Sequence, residues 1–260
     1  MREKPHAIVT TSWDDDARSG LKIAELLSAY RLPGTFYVPT GKLGGDSLLS
    51  ADDLRNLSAA GFEIGGHTVS HAILTEVGQS ELLREVSECK KTLEQILSRE
   101  VTMFCYPKGR FNSAVMQAVQ NAGYHGARTT QMLSHSSDVI PFAIPVTVQA
   151  YPHNRGNYIR SLLRTRAVGS LLKGTPELLN FQSWLQLGKH FFDRVLRDGG
   201  IWHLYGHPWE IERLDLWGQV RELFDYVGRR SDVEYLTNGD FVNFTQRGSG
   251  IAISRAQTTN

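Results

Sequence analysis

The chain lacks most of the features that would place it in a specialised class of protein. Only two of its 260 residues are cysteine, Cys89 and Cys105, which excludes a scaffold of several disulfides and favours a reducing compartment. Its 28 basic and 27 acidic side chains leave a net charge of +1, which provides no general attraction for nucleic acid. No run of about 18 apolar residues occurs, so no membrane span is predicted.

The amino-terminal segment, MREKPHAIVTTSWDDD, also lacks the apolar stretch of a secretory signal. From these absences we expect a globular protein of the cytoplasm. The length suits one large α/β domain with a sizeable core. The sequence does not indicate an oligomeric state.

What the sequence does contain is an alternation of strand-like and helix-like segments. Short β-rich runs such as HAIVTTSW, GTFYVP and VTMFCYP alternate with amphipathic stretches such as QSELLREVSECKKTLEQIL. One helix has predicted ends, with Ser50 as N-cap, Asp53 three residues later and Gly61 as the stop. The alternation predicts a parallel α/β fold that forms a closed or nearly closed barrel.

The same pattern indicates how the domain is organised. We expect a single barrel domain over residues 1–246, with an insertion at about 131–182 where the alternation breaks. Residues 247–260 are predicted to form a polar, frayed tail.

Polar residues follow several of the predicted strands. Asp14, Asp15 and Asp16 follow the first strand, His67 the third, PKGR the fourth, and His207 the late strand IWHLYG. In parallel barrels the chemistry lies at the carboxyl ends of the strands. We therefore expect these residues to meet on one face of the barrel.

Two of these residues belong to the pentapeptide HTVSH, in which His67 and His71 are four positions apart. On a helical turn this spacing would place both imidazoles on one face, within reach of one ion. Two histidines and a carboxylate leave coordination positions open for water and substrate, as in catalytic metal sites. The alternative for the three aspartates is that they cap the helix that follows them. We favour the metal site.

At these residues the chain resembles the polysaccharide deacetylase family (NodB homology, carbohydrate esterase family 4), whose metal-dependent members remove N- or O-acetyl groups. The resemblance extends from about Ala7 to Gly239 and implies a distorted (β/α)7–8 barrel. SWDDD at 12–16 matches the family's T-F-D-D-G, which implies that Asp14 is the general base and Asp15 a metal ligand. Asp16 replaces the family's glycine.

The second family motif, H-[ST]-x-x-H, is matched by HTVSH without departure, which implies that His67 and His71 are the other metal ligands. The resemblance implies a divalent ion. Zn²⁺ is the default for such donors, and Co²⁺, Ni²⁺, Mn²⁺ or Fe²⁺ also suit them.

The third family motif, R-P-P-Y-G, is matched only loosely by CYPKG at 105–109. Cys105 replaces the arginine that orients the base, and we expect Arg128 or Arg110 to take this role. Arg128 is favoured because it ends a strand, although both could instead pair with surface carboxylates. The resemblance further implies that the backbone N–H of Lys108 holds the oxyanion. Tyr106 and Pro107 are predicted to contact substrate.

The remaining motifs are incomplete. The fourth, D-x-x-D-W, has no convincing match, since Asp138 and the Ser183-Trp184 step fit poorly. The fifth requires a histidine near the end of a late strand, for which His203 and His207 are candidates. We favour His207 as general acid because it lies at the strand end, and His203 would then be a core histidine. Tyr205 takes the place of the acetyl-lining leucine, and Trp209 is added to the predicted substrate site.

The predicted function is that of a metal-dependent carbohydrate deacetylase. Its expected partner is an acetylated sugar or glycan intermediate of surface-polysaccharide biosynthesis in the cytoplasm. Two alternatives remain open. One is an allantoinase-like amide hydrolase on the same scaffold, and the other is a non-catalytic glycan-binding relative.

The stretch 150–173 carries basic side chains and no acidic one. These residues either form a solvated face or recognise the phosphate of a nucleotide- or lipid-linked sugar. They are Arg155, Arg160, Arg164, Arg166 and Lys173.

Overall fold

The structure is a computed structural model that describes residues 6–154, 156–158 and 183–257. The strands are β1 (Ala7–Asp14), β2 (Thr35–Val38), β3 (Glu63–Gly66), β4 (Met103–Cys105), β5 (Gly126–Arg128), β6 (Val148–Gln149), β7 (Gly200–Gly206) and β8 (Glu234–Tyr235). The helices are α1 (Gly20–Tyr30), α2 (Ala51–Ala59), α3 (Gln79–Leu97), α4 (Ser113–Asn121), α5 (Trp184–Asp198), α6 (Pro208–Arg213), α7 (Trp217–Val227) and α8 (Asn238–Gln257).

The strands form one parallel sheet, as the alternation of segments predicts. Its order is β5-β4-β3-β2-β1-β7-β6, with β8 paired to β1 beside this path. The sheet curls into a half-barrel, and an isolated bridge joins Arg128 of β5 to Ile144, which lies in the segment before β6. The predicted distorted barrel is therefore confirmed, but a regular closed (β/α)8 cylinder is not what forms.

Both faces of the central strand are covered, because helices pack outside the sheet and side chains fill its interior. All eight residues of β1 are buried. An interior cluster that includes Ile8, Met103 and Ile201 is closed by Phe241 and Val242 of α8 at the amino end of the strands. The carboxyl end is left for polar side chains, and the candidate site lies there.

The helix ends follow local sequence signals. Ser50 and Asp53 form the predicted capping box at the start of α2, and Gly61 has a φ of 92° just after the helix. Helix α8 extends to Gln257, into the stretch predicted as a polar tail. Among the described helices, none is both long and apolar enough to cross a bilayer. All five basic residues of the 150–173 stretch lie outside the described residues.

Candidate metal centre and active site

The end of β1 places two adjacent carboxylates in different surroundings. Asp14 is the last residue of the strand, and only 2% of it is exposed. Asp15 has a φ of 75°, and this left-handed backbone directs its carboxylate towards the histidines after β3. Helix α1 begins only at Gly20 and has no acidic residue in its first turn. The alternative that the aspartates cap this helix is therefore wrong.

The two histidines of HTVSH converge through a loop. Strand β3 ends at Gly66 and the next helix begins at Gln79, so the helical turn assumed from the spacing is wrong. Thr68 and His71 have φ values of 66° and 60°, which reverse the backbone and bring the two imidazoles together. The ring centroids of His67 and His71 lie 4.8 Å apart.

Asp15, His67 and His71 present three ligand atoms that lie within 4.8 Å of one another. Oδ1 of Asp15 is 3.8 Å from Nε2 of His67 and 3.6 Å from Nε2 of His71. These distances are too long for hydrogen bonds, but they suit donor atoms that surround a single ion.

The protonation of His67 also fits a metal ligand. Its Nδ1 lies 2.8 Å from the backbone oxygen of Cys105, which can only accept, so the Nδ1–H donates and Nε2 keeps its lone pair. Burial outweighs the attraction of Asp14 and Asp15 and lowers the pKa of His67 to about 4. The neutral imidazole of His67, the carboxylate of Asp15 and the imidazole of His71 together form a donor set that fits a divalent ion.

A second grouping, Asp14, His67 and Cys105, suits an ion less well. Burial raises the pKa of the Cys105 thiol well above its ordinary value, so the thiolate that a metal prefers is disfavoured. The Sγ lies 3.7 Å from Oδ2 of Asp14. Cys105 therefore acts as a small buried neighbour of the carboxylate.

Arg128 lies beside Cys105, the residue that stands in place of the third motif's arginine. Cys105 and Arg128 are register partners on the adjacent strands β4 and β5, so the guanidinium reaches the same carboxylate from one strand further along. Nη2 of Arg128 donates to Oδ1 of Asp14, and both side chains are buried. Arg110 instead pairs with Glu76 at the surface.

This ion pair sets the charge of Asp14. Burial would raise the pKa of the carboxyl, but Arg128 and, more weakly, His67 and His207 outweigh burial and lower it. Asp14 is thus kept unprotonated, as a general base must be.

His207 and His203 have opposite environments. His207 follows β7 directly, and its Nε2 lies 3.9 Å from Oδ2 of Asp14. His203 is buried, donates from Nδ1 to the Pro145 carbonyl and accepts the Ser12 hydroxyl at Nε2. Burial and the charge of Arg128 lower the pKa of His203 to about 3. His203 is therefore a core histidine with both nitrogens engaged.

Glu210, three residues after His207, provides the carboxylate that the fourth motif does not. Nδ1 of His207 lies 2.7 Å from Oε2 of Glu210. Burial disfavours the charged imidazole, but the hydrogen bond to Glu210 and the negative charges of Asp14 and Asp15 prevail, so the pKa of His207 is raised. Asp138 is exposed, and Trp184 is buried at the start of α5.

The third motif keeps its backbone turn. Pro107–Gly109 form a 3-10 turn in which Lys108 has a φ of 54° and an exposed side chain. A Cβ on Gly109 would lie 2.1 Å from Oγ1 of Thr130, so only glycine fits there. The Lys108 N–H remains the predicted oxyanion donor.

Two of the predicted substrate contacts are not at the surface. Tyr106 is fully buried, stacks on Phe111 and donates its hydroxyl to the Phe142 carbonyl. Pro107 is buried beside it. Both side chains pack in the core beside the turn. Their contact with substrate stays a prediction.

Tyr205 and Trp209 lie closer to the chemistry. Tyr205 is buried beneath Arg128, at 4.7 Å from ring centroid to guanidinium carbon, and donates to Oε1 of Gln149 at 2.6 Å. Trp209 is 39% exposed and donates its indole N–H to Oδ2 of Asp15 at 2.7 Å. A cavity of about 490 Å³ opens beside Trp209, and its lining includes Asp15, Asp16, Lys42 and His71.

Reasoning from the sequence missed three residues of the site: Glu210, Gln149 and Glu85. The i, i+3 spacing from His207 was an available signal for Glu210. A carboxylate on the buried face of amphipathic α3 was the signal for Glu85, whose oxygens accept the N–H groups of Val69 and Ser70. Gln149 lies on a two-residue strand that the sequence did not delimit.

The protein is thus a parallel α/β half-barrel with a His-His-Asp cluster at the carboxyl ends of its strands. This arrangement places it among the barrels that carry a candidate catalytic metal centre. Residues 2–127 match the family described as polysaccharide deacetylase. The resemblance that the motifs predict is therefore confirmed over the amino-terminal half of the chain.

Two curated relatives are similar to part of the chain. YxkH of Bacillus subtilis (strain 168), provisionally described as a polysaccharide deacetylase, is 24% identical over 119 residues, which cover 46% of this chain and 43% of that protein. A chitooligosaccharide deacetylase of Rhizobium leguminosarum bv. trifolii is 28% identical over 102 residues, 39% of this chain and 46% of that protein. The chain spans about half the length of the curated relatives it matches.

The fold has relatives among solved structures. One from Mycobacterium smegmatis, provisionally described as a polysaccharide deacetylase, superposes with a TM-score of 0.67 at 16% identity. The superposition covers 96% of this chain and 93% of that one. The likeness shows that the two chains share a fold.

Proposed function

We propose that the protein is a metal-dependent deacetylase that hydrolyses the N-acetyl or O-acetyl group of a sugar. The proposal rests on the different surroundings of the two adjacent aspartates at the end of β1. Asp15 lies with His67 and His71 in a donor set suited to an ion, while Asp14 is held unprotonated beside them.

Asp15, His67 and His71 would hold the ion, which when bound supplies a polarised acetyl carbonyl and a water of lowered pKa. Asp14 takes the proton of the attacking water, because Arg128 stabilises its charged form. The backbone N–H of Lys108 donates to the oxyanion.

The leaving group requires a proton, and His207 is the group that supplies it. Glu210 orients the ring through Nδ1 and favours its protonated form, so that Nε2 carries the proton that is delivered. This pairing gives the acid a carboxylate partner even though the fourth family motif is missing.

The substrate we propose is a small acetylated saccharide or a carrier-linked sugar, and the cavity of about 490 Å³ beside Trp209 can accommodate a sugar ring. Support comes from the relative described as a chitooligosaccharide deacetylase. We also propose that this sugar is a cytoplasmic intermediate whose phosphate binds to the basic 150–173 stretch. The metal that we propose is Zn²⁺.

The test is acetate release from chitooligosaccharides and from nucleotide-linked N-acetyl sugars, measured before and after removal of the metal and after its return. We expect release that stops in the metal-free protein and recovers with Zn²⁺ or another divalent ion. Activity that survives complete chelation would favour the allantoinase-like alternative. Metal binding without release from any acetylated saccharide would favour a non-catalytic binding protein.

A further inference from the structure

Glu85 is a buried carboxylate for which the reaction has no direct use. It lies in the second turn of α3, on the face that also buries Leu82, Val86 and Cys89. The residue has no measurable exposure. Burying a carboxylate is unfavourable unless its oxygens are satisfied, so its partners indicate why it is there.

Those partners belong to the histidine loop. Oε2 accepts the backbone N–H groups of Val69 at 2.9 Å and of Ser70 at 2.8 Å. Oε1 accepts the Ser70 hydroxyl at 3.0 Å, and Arg84 also donates to Oε1 at 3.2 Å. Three donors from two consecutive residues thus converge on one side chain.

The opposite edge of the loop is bonded as well. The Thr40 N–H donates to the Thr68 carbonyl at 3.1 Å, and the Gly41 N–H donates to the Val69 carbonyl at 2.7 Å. The loop is therefore clamped from both sides, by the segment after β2 through its carbonyls and by Glu85 through its N–H groups.

The clamp is needed because the loop conformation is unfavourable in isolation. Thr68 and His71 both adopt positive φ values, which β-branched and bulky residues rarely do. The Thr68 hydroxyl oxygen is buried without a hydrogen-bond partner. External contacts must maintain this geometry, and the geometry is what brings the two imidazoles together.

We infer that Glu85 is a positioning residue that fixes the HTVSH loop so that His67 and His71 face Asp15 as a preformed metal site. Its hydrogen bonds go to Val69, Ser70 and Arg84, so it acts through the backbone between the two histidines. The inference deepens the proposed function and rests on its metal centre, but its test requires no turnover.

The side chain can be varied in two informative ways. Glu85→Ala removes every bond to the loop. Glu85→Gln keeps the shape, because its carbonyl oxygen can accept both N–H groups and its amide can donate to the Ser70 hydroxyl, while the stronger charge-assisted bonds are lost.

The experiment measures the dissociation constant for Zn²⁺ by competition with a chromophoric chelator, together with the thermal midpoint of the metal-free protein. We expect Glu85→Ala to weaken Zn²⁺ binding about 10- to 100-fold, and Glu85→Gln to weaken it by less than half as much on a logarithmic scale. Leu93→Ala is the matched control, because it opens the buried face of the same helix and should lower the midpoint while leaving the dissociation constant unchanged.

If Glu85→Ala is folded and binds as wild type, or if Leu93→Ala loses as much affinity, the inference is wrong. If Glu85→Ala does not fold, two milder variants take its place: Glu85→Gln, and Ser70→Ala, which removes the hydroxyl that donates to Oε1 of Glu85. Wild-type affinity for Zn²⁺ in both variants would overturn the inference. A wild-type protein that binds no divalent ion would instead overturn the proposed function.

Discussion

The proposed metal-ligand half of the site and its proposed proton-transfer half are held together in different ways. The first half is fixed through the backbone, by left-handed residues and by N–H groups that donate to a buried carboxylate. The second half is fixed through ion pairs between side chains, Asp14 with Arg128 and His207 with Glu210.

This difference determines what each half tolerates. The loop between His67 and His71 must present both imidazoles from a fixed backbone, so neither histidine of its motif can be replaced from another position. A supporting charge can come from any position that reaches the same atom, and here the arginine comes from the strand next to the one that carries the family motif. The two halves therefore make different predictions for substitution.

The largest effect is expected in the metal half. His71→Ala removes one of three ligands and should weaken divalent-ion binding by more than about 100-fold, beyond the loss typical of supporting residues. The metal-to-protein ratio after dialysis measures this. His125→Ala, which alters an exposed histidine paired with Glu100, should retain the wild-type ratio, and equal losses in the two variants would contradict the assigned ligands.

In the proton-transfer half, Arg128→Leu should lower the free energy of unfolding by about 3–5 kcal/mol, because it leaves Asp14 buried without its partner. The folded pKa of Asp14 is lowered, so the contribution of the pair is complete above the ordinary value of 3.8 and is lost as the pH falls through the folded pKa. Denaturant titration at neutral pH measures the loss.

Arg110→Ala is the control for this variant, since it removes an arginine whose pair with Glu76 is exposed. It should cost about 1 kcal/mol or less. If the two arginine variants lost equal stability, the buried pair would not have the role assigned to it.

A smaller effect concerns the acid. His207 must be protonated to donate, and its pKa is raised, so activity should persist to higher pH than an ordinary histidine allows and then fall as the pH rises through that pKa. Glu210→Gln should move this basic limb of the kcat profile to lower pH. Glu212→Gln, which changes an exposed carboxylate on the same helix, should leave the limb in place, and an unmoved limb in Glu210→Gln would separate Glu210 from the acid.

The smallest effect should come from Trp209→Phe. It keeps an aromatic ring beside the cavity but removes the N–H that donates to Asp15. Because the indole is partly exposed, we expect metal affinity to fall by about tenfold at most. Chelator competition checks this value, and a loss as large as that of His71→Ala would mean that Trp209 belongs to the ligand cluster itself.

The same contrast explains what could be predicted from the sequence. The parallel α/β fold, the capping box of α2 and the strand-end positions of Asp14, His67 and His207 all follow from local periodicity and motifs. Arg128 was favoured for the same reason, since it ends a strand.

What could not be predicted depends on tertiary contacts. The HTVSH spacing suggested a helical turn, but the segment is a loop with left-handed residues. Its hydrogen bonds go to Glu85 of a helix later in the chain, and the local spacing carries no sign of them. Tyr106 was expected at the substrate, yet packing against Phe111 buries it. The edge strand β6, which carries Gln149, has too few residues to produce a periodic pattern.

The most direct test of the account combines metal content and acetate release in one variant, Asp14→Asn. The side chain keeps its size and loses its capacity to act as a base, while Asp15, His67 and His71 are untouched. We predict a wild-type metal-to-protein ratio together with acetate release slowed by about 10²- to 10⁴-fold. Full acetate release by a metal-loaded Asp14→Asn protein would contradict the account.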